Sequence, residues 1–146
     1  MRLTGICVFV LLAAACGSSD QKNFSAVNNS AAMKDSTQFT IIEWLDSTDK
    51  NFGKIPEGKK LDVAFRFKNA GDKPLIIQKV QPSCGCTVAE QPDKPVLPGE
   101  EGVIKASFNS EGRIGSNHKT LYVTANTKKT QSHELRFEVE VEKRKL

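Results

Sequence analysis

A chain of 146 residues accommodates one domain with appendages rather than several. Hydrophobic residues (38%) suffice for a core, and charged residues (26%) suffice to keep it soluble. The net charge of +4, or +3 once Arg2 is set aside with a leader, is mild and interspersed, and no basic stripe interleaves with aromatics, which argues against a nucleic-acid partner.

The first residues read as an export signal. Met1-Arg2 is a short positive start, and Ile6 to Leu12 is an apolar run too short to span a bilayer as a helix. Leu12-Ala13-Ala14-Ala15-Cys16-Gly17 then places small residues directly before a cysteine, the pattern of a bacterial lipobox. On this reading residues 1–15 are a lipoprotein signal peptide and Cys16 is the lipidated first residue of the mature chain. The simpler reading is ordinary signal cleavage after Ala13-Ala14-Ala15. Two or more acyl chains anchor stably where one is marginal. The expected location is the cell envelope, lipid-anchored, in the outer membrane of a Gram-negative bacterium, with the membrane and an envelope protein as partners. Residues 16–37 are rich in Ser, Asn, Ala and Lys and read as a flexible tether. About 20 such residues have a root-mean-square span of about 25 Å.

From Phe39 onward the period is two, which predicts strands over 39–45, 60–68, 74–80, 87–90, 102–109, 118–125 and 133–142. Residues 46–57, with Asp, Asn, Gly and Pro, read as a loop, and so do 111–117. The proline-rich run 92–100 reads as a crossing rather than a central strand. In 133–142, Leu135, Phe137, Val139 and Val141 alternate with Arg136, Glu138, Glu140 and Glu142, so the glutamates share a solvated face. Trp44 is expected to fill the core. About seven short alternating strands predict an all-β, antiparallel, immunoglobulin-like β-sandwich over residues 38–146, with a small open barrel as the alternative.

With Cys7 in the leader and Cys16 lipidated, Cys84 and Cys86 remain, in a compartment that permits disulfides. Three readings stand side by side: a strained disulfide across Gly85, structural or redox-active, with Gly85 relieving steric limits on the backbone; two thiolates holding a soft metal such as copper or zinc, with His118 or His133 as further ligands; and packing residues without a reaction. His118 and His133 each begin a predicted strand, where an ordinary edge imidazole is the simpler reading. No catalytic residue and no cofactor are expected, because no orienting partner or oxyanion site accompanies the cysteines.

The stretch from Phe65 to Thr87, FRFKNAGDKPLIIQKVQPSCGCT, carries a resemblance. Phe65, Phe67, Asn69, Gly71, Pro74, Leu75, Cys84, Gly85, Cys86, Thr87, Pro98 and Gly99 match the pattern of the bacterial domain of unknown function 1573, which this region resembles over about Leu61 to Phe108. The resemblance implies an immunoglobulin-like sandwich in the bacterial envelope and lends no established catalytic residue. Together these readings predict a non-catalytic, lipid-anchored interaction or scaffolding module. The alternative is a periplasm-facing thiol, disulfide or soft-metal protein built on Cys84 and Cys86.

Overall fold

The computed structural model describes residues 29–144. The expected signal peptide, Cys16 and most of the expected tether lie outside the described residues. After a helical turn at Asn29–Ala32 and a 3-10 turn at Ser36–Gln38 come eight strands: β1 (Ile42–Trp44), β2 (Asp49–Pro56), β3 (Lys60–Asn69), β4 (Ile77–Pro82), β5 (Thr87–Glu90), β6 (Glu101–Asn109), β7 (Gly115–Ala125) and β8 (Ser132–Glu142). They form two four-stranded sheets, in the orders β1-β3-β6-β5 and β2-β8-β7-β4. The protein is an all-β sandwich, as the alternation predicts.

Alternation decides which face each strand buries. In β3, Val63, Phe65, Phe67 and Asn69 are buried while Asp62, Ala64 and Arg66 face solvent. In β8, Leu135, Phe137, Val139 and Val141 face inward. Between the sheets, the rings of Phe108 and Phe137 meet edge to face with centroids 6.2 Å apart. Trp44 is half-buried at the rim of this core, edge-on to Phe67 at 5.8 Å. Gly102 lies opposite Phe67 in register, and a side chain there would run into the Phe67 ring.

Four boundaries differ from the alternation reading. The stretch 46–57 is not a loop throughout, because β2 runs through it and pairs parallel with β8. Its turn-forming residues serve an edge strand: the register shifts between Asn51 and Lys54 around Gly53, which has φ +65°, and Pro56 ends the strand. An edge tolerates both a bulge and a proline, so these residues do not exclude a strand. The first strand shrinks to Ile42–Trp44, with Thr40 forming a separate bridge to Thr127. The strand expected at 74–80 begins its ladder only at Ile77, while Leu75 exchanges two backbone hydrogen bonds of 2.9 Å with Val96 of the proline-rich crossing. Finally, β7 begins at Gly115, inside the predicted loop 111–117, because the opposing end of β8 offers Val141 and Glu140 as partners.

Asn69 closes β3 and is fully buried. Its Nδ2 donates to the carbonyls of Lys73 (2.7 Å) and Val96 (2.8 Å), and its Oδ1 accepts from Thr40 Oγ1 (2.8 Å) and the Gly71 N–H (3.1 Å). The backbone of Asn69 bonds Glu100 O and Gly99 N. Gly71 must be glycine here for space, since a Cβ would strike Thr40 Oγ1 and come within 2.7 Å of the Ile41 nitrogen. Asn126 plays a similar part, donating to the carbonyls of Gln38 and Pro74 and accepting from the Ile76 N–H. Upstream, Ala32 is buried and Gln131 Nε2 donates to Met33 O, so the chain already touches the sandwich before β1.

Asp46, in the turn after β1, accepts from Arg66 through Nη2 (2.9 Å) and the backbone N–H (3.0 Å), and from Lys50 Nζ (3.1 Å). The Arg66 hydrogen bonds, then Lys50, hold its carboxyl well below the usual carboxylate range.

Replacing Asn69 by Ala strands two buried carbonyls, a hydroxyl and an N–H, and is expected to lower stability by roughly 3 kcal/mol, seen as a lower thermal midpoint. A loss below about 1 kcal/mol would mean that water replaces the amide at this junction.

Candidate functional site

The Cys84-Gly85-Cys86 loop is the passage from one sheet to the other. β4 is the edge strand of one sheet, β5 the edge strand of the other, and the loop joins them. It is pinned at both ends. The Ser83 N–H donates to Thr120 O of β7 (2.8 Å), and Ser83 Oγ accepts from the Thr120 N–H (3.2 Å). Cys86 O accepts from the Asn109 N–H at the end of β6 (3.0 Å), and Cys84 O accepts from the Thr87 N–H (3.3 Å).

The two sulfurs are bonded, with the Cα atoms 5.3 Å apart, inside the ordinary disulfide range. Both cysteines are half-buried, and Cys86 packs against the hydrophobic core. Thr87 is buried directly beneath them, with Oγ1 at 3.8 Å from Cys84 Sγ and 4.0 Å from Cys86 Sγ. Gly85 is exposed, lacks a positive φ, and a Cβ there would meet nothing within 4 Å. Beyond the two flanking cysteines, no described atom crowds position 85, so glycine there leaves the outer side of the loop exposed. The loop closed by this disulfide is minimal, so chain-entropy arguments assign it only about 1.5 kcal/mol of stapling, against about 3 for a loop of fifteen residues.

The two histidines stand apart. His118 points outward from β7, with Nδ1 3.4 Å from Glu138 Oε2 and Nε2 3.3 Å from Ser116 Oγ. His133 is half-buried at the start of β8, its Nε2 2.8 Å from Thr127 Oγ1 and its ring edge-on to Trp44 at 5.9 Å. His118 lies opposite Glu138, and His133 lies five positions back along β8, about 17 Å away at strand rise. They cannot share an ion. Among the described residues no three His, Cys, Asp or Glu side chains gather as a metal site. Burial pushes the His133 imidazole below its ordinary value.

Sequence reasoning picked out the cysteine pair, with Thr87 as part of the same motif, but not Thr120 or Asn109, which are distant in sequence and carry no local signal.

Beside this loop, the outer face of β3, β6 and β5 forms a groove of about 340 Å³ lined by Asp62, Ala64, Val88, Glu90, Lys105 and Ser107. Val88 is 66% exposed at its rim. The Ser107 hydroxyl is shielded from solvent and has no hydrogen-bond partner among the described residues.

Comparison with solved structures places this architecture among known sandwiches. A protein of unknown function from Porphyromonas gingivalis matches with a TM-score of 0.63 at 19% identity, covering 81% of this chain and 51% of the other. The present chain thus spans about half the length of that protein. The ASH / PapD-like domain 7 of human CEP192 matches with a TM-score of 0.51 at 14% identity, over 75% of this chain and 89% of that one. A family 123 glycoside hydrolase from Clostridium perfringens matches with a TM-score of 0.52 at 12% identity, over 66% of this chain and 23% of that one. At these identities the likeness concerns the fold alone. No curated protein matches the sequence.

The state of His133 has a consequence for stability. Its folded-state value lies below the ordinary 6.5, so as pH falls the unfolded chain takes up a proton first. Stability is therefore full above about pH 6.5 and declines below it until the folded-state value is passed. Thermal midpoints measured from about pH 7.5 to 5 should show this decline, and His133→Gln should flatten it. An unchanged slope in the variant would place the pH sensitivity elsewhere.

The model of the family described as "Protein of unknown function (DUF1573)" matches residues 42–141, most of the chain and nearly all of the sandwich, and the chain belongs to that family.

Proposed function

We propose that this protein is a non-catalytic, lipid-anchored module of the bacterial cell envelope that binds a partner protein through the β5 edge of its sandwich. The lipobox-like run ending at Cys16 supports the anchor, and the stretch that follows supports a tether. The observation that carries the binding role is the β5 edge itself, where exposed Val88 borders the groove over Ala64 and Ser107. The other edges are better guarded. β2 carries Lys50, Lys54 and a bulge, and β1 is one residue shorter than the four-residue β5. The β4 carbonyls of Ile77 and Gln78 accept from Gln91 Nε2 at 3.2 and 3.3 Å. Short, bulged and lysine-bearing edges resist strand addition, and an open edge accepts it.

A second reading takes the Cys84–Cys86 pair as the working part, in thiol or disulfide chemistry or as soft-metal ligands. The bonded, half-buried cysteines on either side of an exposed glycine favour the thiol or disulfide form. The metal form requires a third ligand, which the described residues do not gather around the pair.

Two measurements test the main reading. A Cys16→Ser chain expressed in its host should move from the membrane pellet to the soluble fraction, and retention in the pellet would remove the anchor. A photo-crosslinking side chain placed at Val88 should give a discrete adduct that the same probe at Lys54 does not. Equal labelling from both edges, or none, would overturn the β5 assignment.

A further inference from the structure

We infer that Cys84–Cys86 is a thiol–disulfide exchange site that accepts two electrons from a dithiol protein, with Cys84 as the sulfur attacked and Thr87 as the hydrogen-bond donor to the sulfur released. This rests on the disulfide form of the second reading above. Three observations carry it. The bridge closes so short a loop that it adds little as a staple, so chain stabilisation is a weak reason for its presence. Both cysteines are half-buried rather than enclosed and the glycine between them is exposed, on a loop whose flanking backbone is fixed to β7 through Ser83 and to β6 through Cys86. A bridge held by a rigid frame and open on one side can be attacked without unfolding its surroundings.

The two sulfurs are not equivalent. Cys86 packs against the core and its carbonyl is tied across to Asn109 of β6, while the Cys84 carbonyl bonds within the loop, to the Thr87 N–H. A partner thiolate attacks Cys84 Sγ, a partner–Cys84 bond forms, the Cys84–Cys86 bond breaks, and Cys86 leaves as a thiolate. The Thr87 hydroxyl lies between the two sulfurs, 3.8 Å from Cys84 Sγ and 4.0 Å from Cys86 Sγ, and turns its proton toward the charge that develops on Cys86. A second thiolate on the partner then attacks the partner's own mixed-disulfide sulfur and displaces Cys84. The partner's dithiol is oxidised to a disulfide, the bridge is reduced to two thiols, and solvent supplies the two protons. Thr87 also lies opposite Phe108 in register, and Lys119 Nζ stands 5.5 Å over the Phe108 ring, so a cation shares this end of the sandwich.

The test uses the full chain, purified in detergent without reductant, and reads the tryptic peptide of residues 80–105, which holds no other cysteine. Recovery of this peptide as a free dithiol before any reductant would defeat the disulfide reading itself. If it is oxidised, the folded protein is exposed to graded dithiothreitol and to glutathione redox buffers, quenched with an alkylating agent, and followed by Trp44 fluorescence. Exchange predicts reversible reduction and reoxidation with the Trp44 signal unchanged. A bridge that reduces only as the protein unfolds would overturn the inference and leave a structural staple.

Two sets of variants resolve the order of events. The thiol left in Cys86→Ser should react with a small aromatic disulfide about tenfold faster than the thiol left in Cys84→Ser, and equal or reversed rates would overturn Cys84 as the entry point. Thr87→Val keeps the buried volume and should slow reduction of the bridge about threefold or more, with Thr87→Ser restoring it. An unchanged rate would remove Thr87 from the mechanism.

Discussion

The sandwich hangs on the hydrogen bonds of one buried amide. Asn69 ends β3 at the point where three otherwise separate segments meet: the lead into β1 at Thr40, the turn at Gly71 to Lys73, and the proline-rich crossing at Val96. None of these belongs to a long ladder, so their backbone polar groups need partners from outside regular structure. A side chain with two donors and an acceptor that takes two bonds meets that need in one place. With Asn69 saturated, β3 can turn out of one sheet, the chain can bridge through Leu75 to Val96, and β4 can join the other sheet. Asn126 repeats the device on the far side, joining the same lead-in to Pro74 and Ile76.

This junction also determines where the cysteine loop falls. Once β4 is committed to the second sheet and β5 to the first, residues 83–86 have to cross between layers at the sandwich edge. A crossing of that kind is exposed on one side and packed on the other, which explains why Cys86 touches the core while Gly85 faces open space. The hydrogen bonds to Thr120 and Asn109 make the crossing rigid. The proposed exchange chemistry of the bridge rests on that combination of fixed frame and partial exposure. The β5 edge and its groove lie directly after the same loop, so the proposed docking edge and the proposed exchange site are neighbours on one surface.

Edges account for most of the differences between alternation and architecture. The stretch holding Asn51, Gly53 and Pro56 has the composition of a loop, yet it forms β2, because a bulge and a terminal proline cost little where only one side of the strand is paired. Its parallel partnership with β8 joins segments nearly ninety positions apart, a pairing no local pattern encodes. The opposite holds for Phe39 to Leu45, whose apolar content suggests a longer strand than the three residues that find a partner on β3.

By itself the sequence determined the fold class, the inward face of β8, and the proximity of Cys84 and Cys86. Period-two patterning and a spacing of two residues are local properties and survive without knowledge of what packs against them. The family signature was legible for the same reason, since Phe65, Phe67, Asn69 and the cysteine motif lie in one continuous stretch. Only the tertiary structure decided sheet order, the parallel β2–β8 pair, the role of Asn69 and the cradle of Thr87, Thr120 and Asn109 around the bridge. It also separated His118 from His133, two residues that a linear reading could place on one ion. Each of these depends on which strand lies beside which, and that is settled by burial of the shared core and by saturation of backbone groups at the junctions, both non-local quantities.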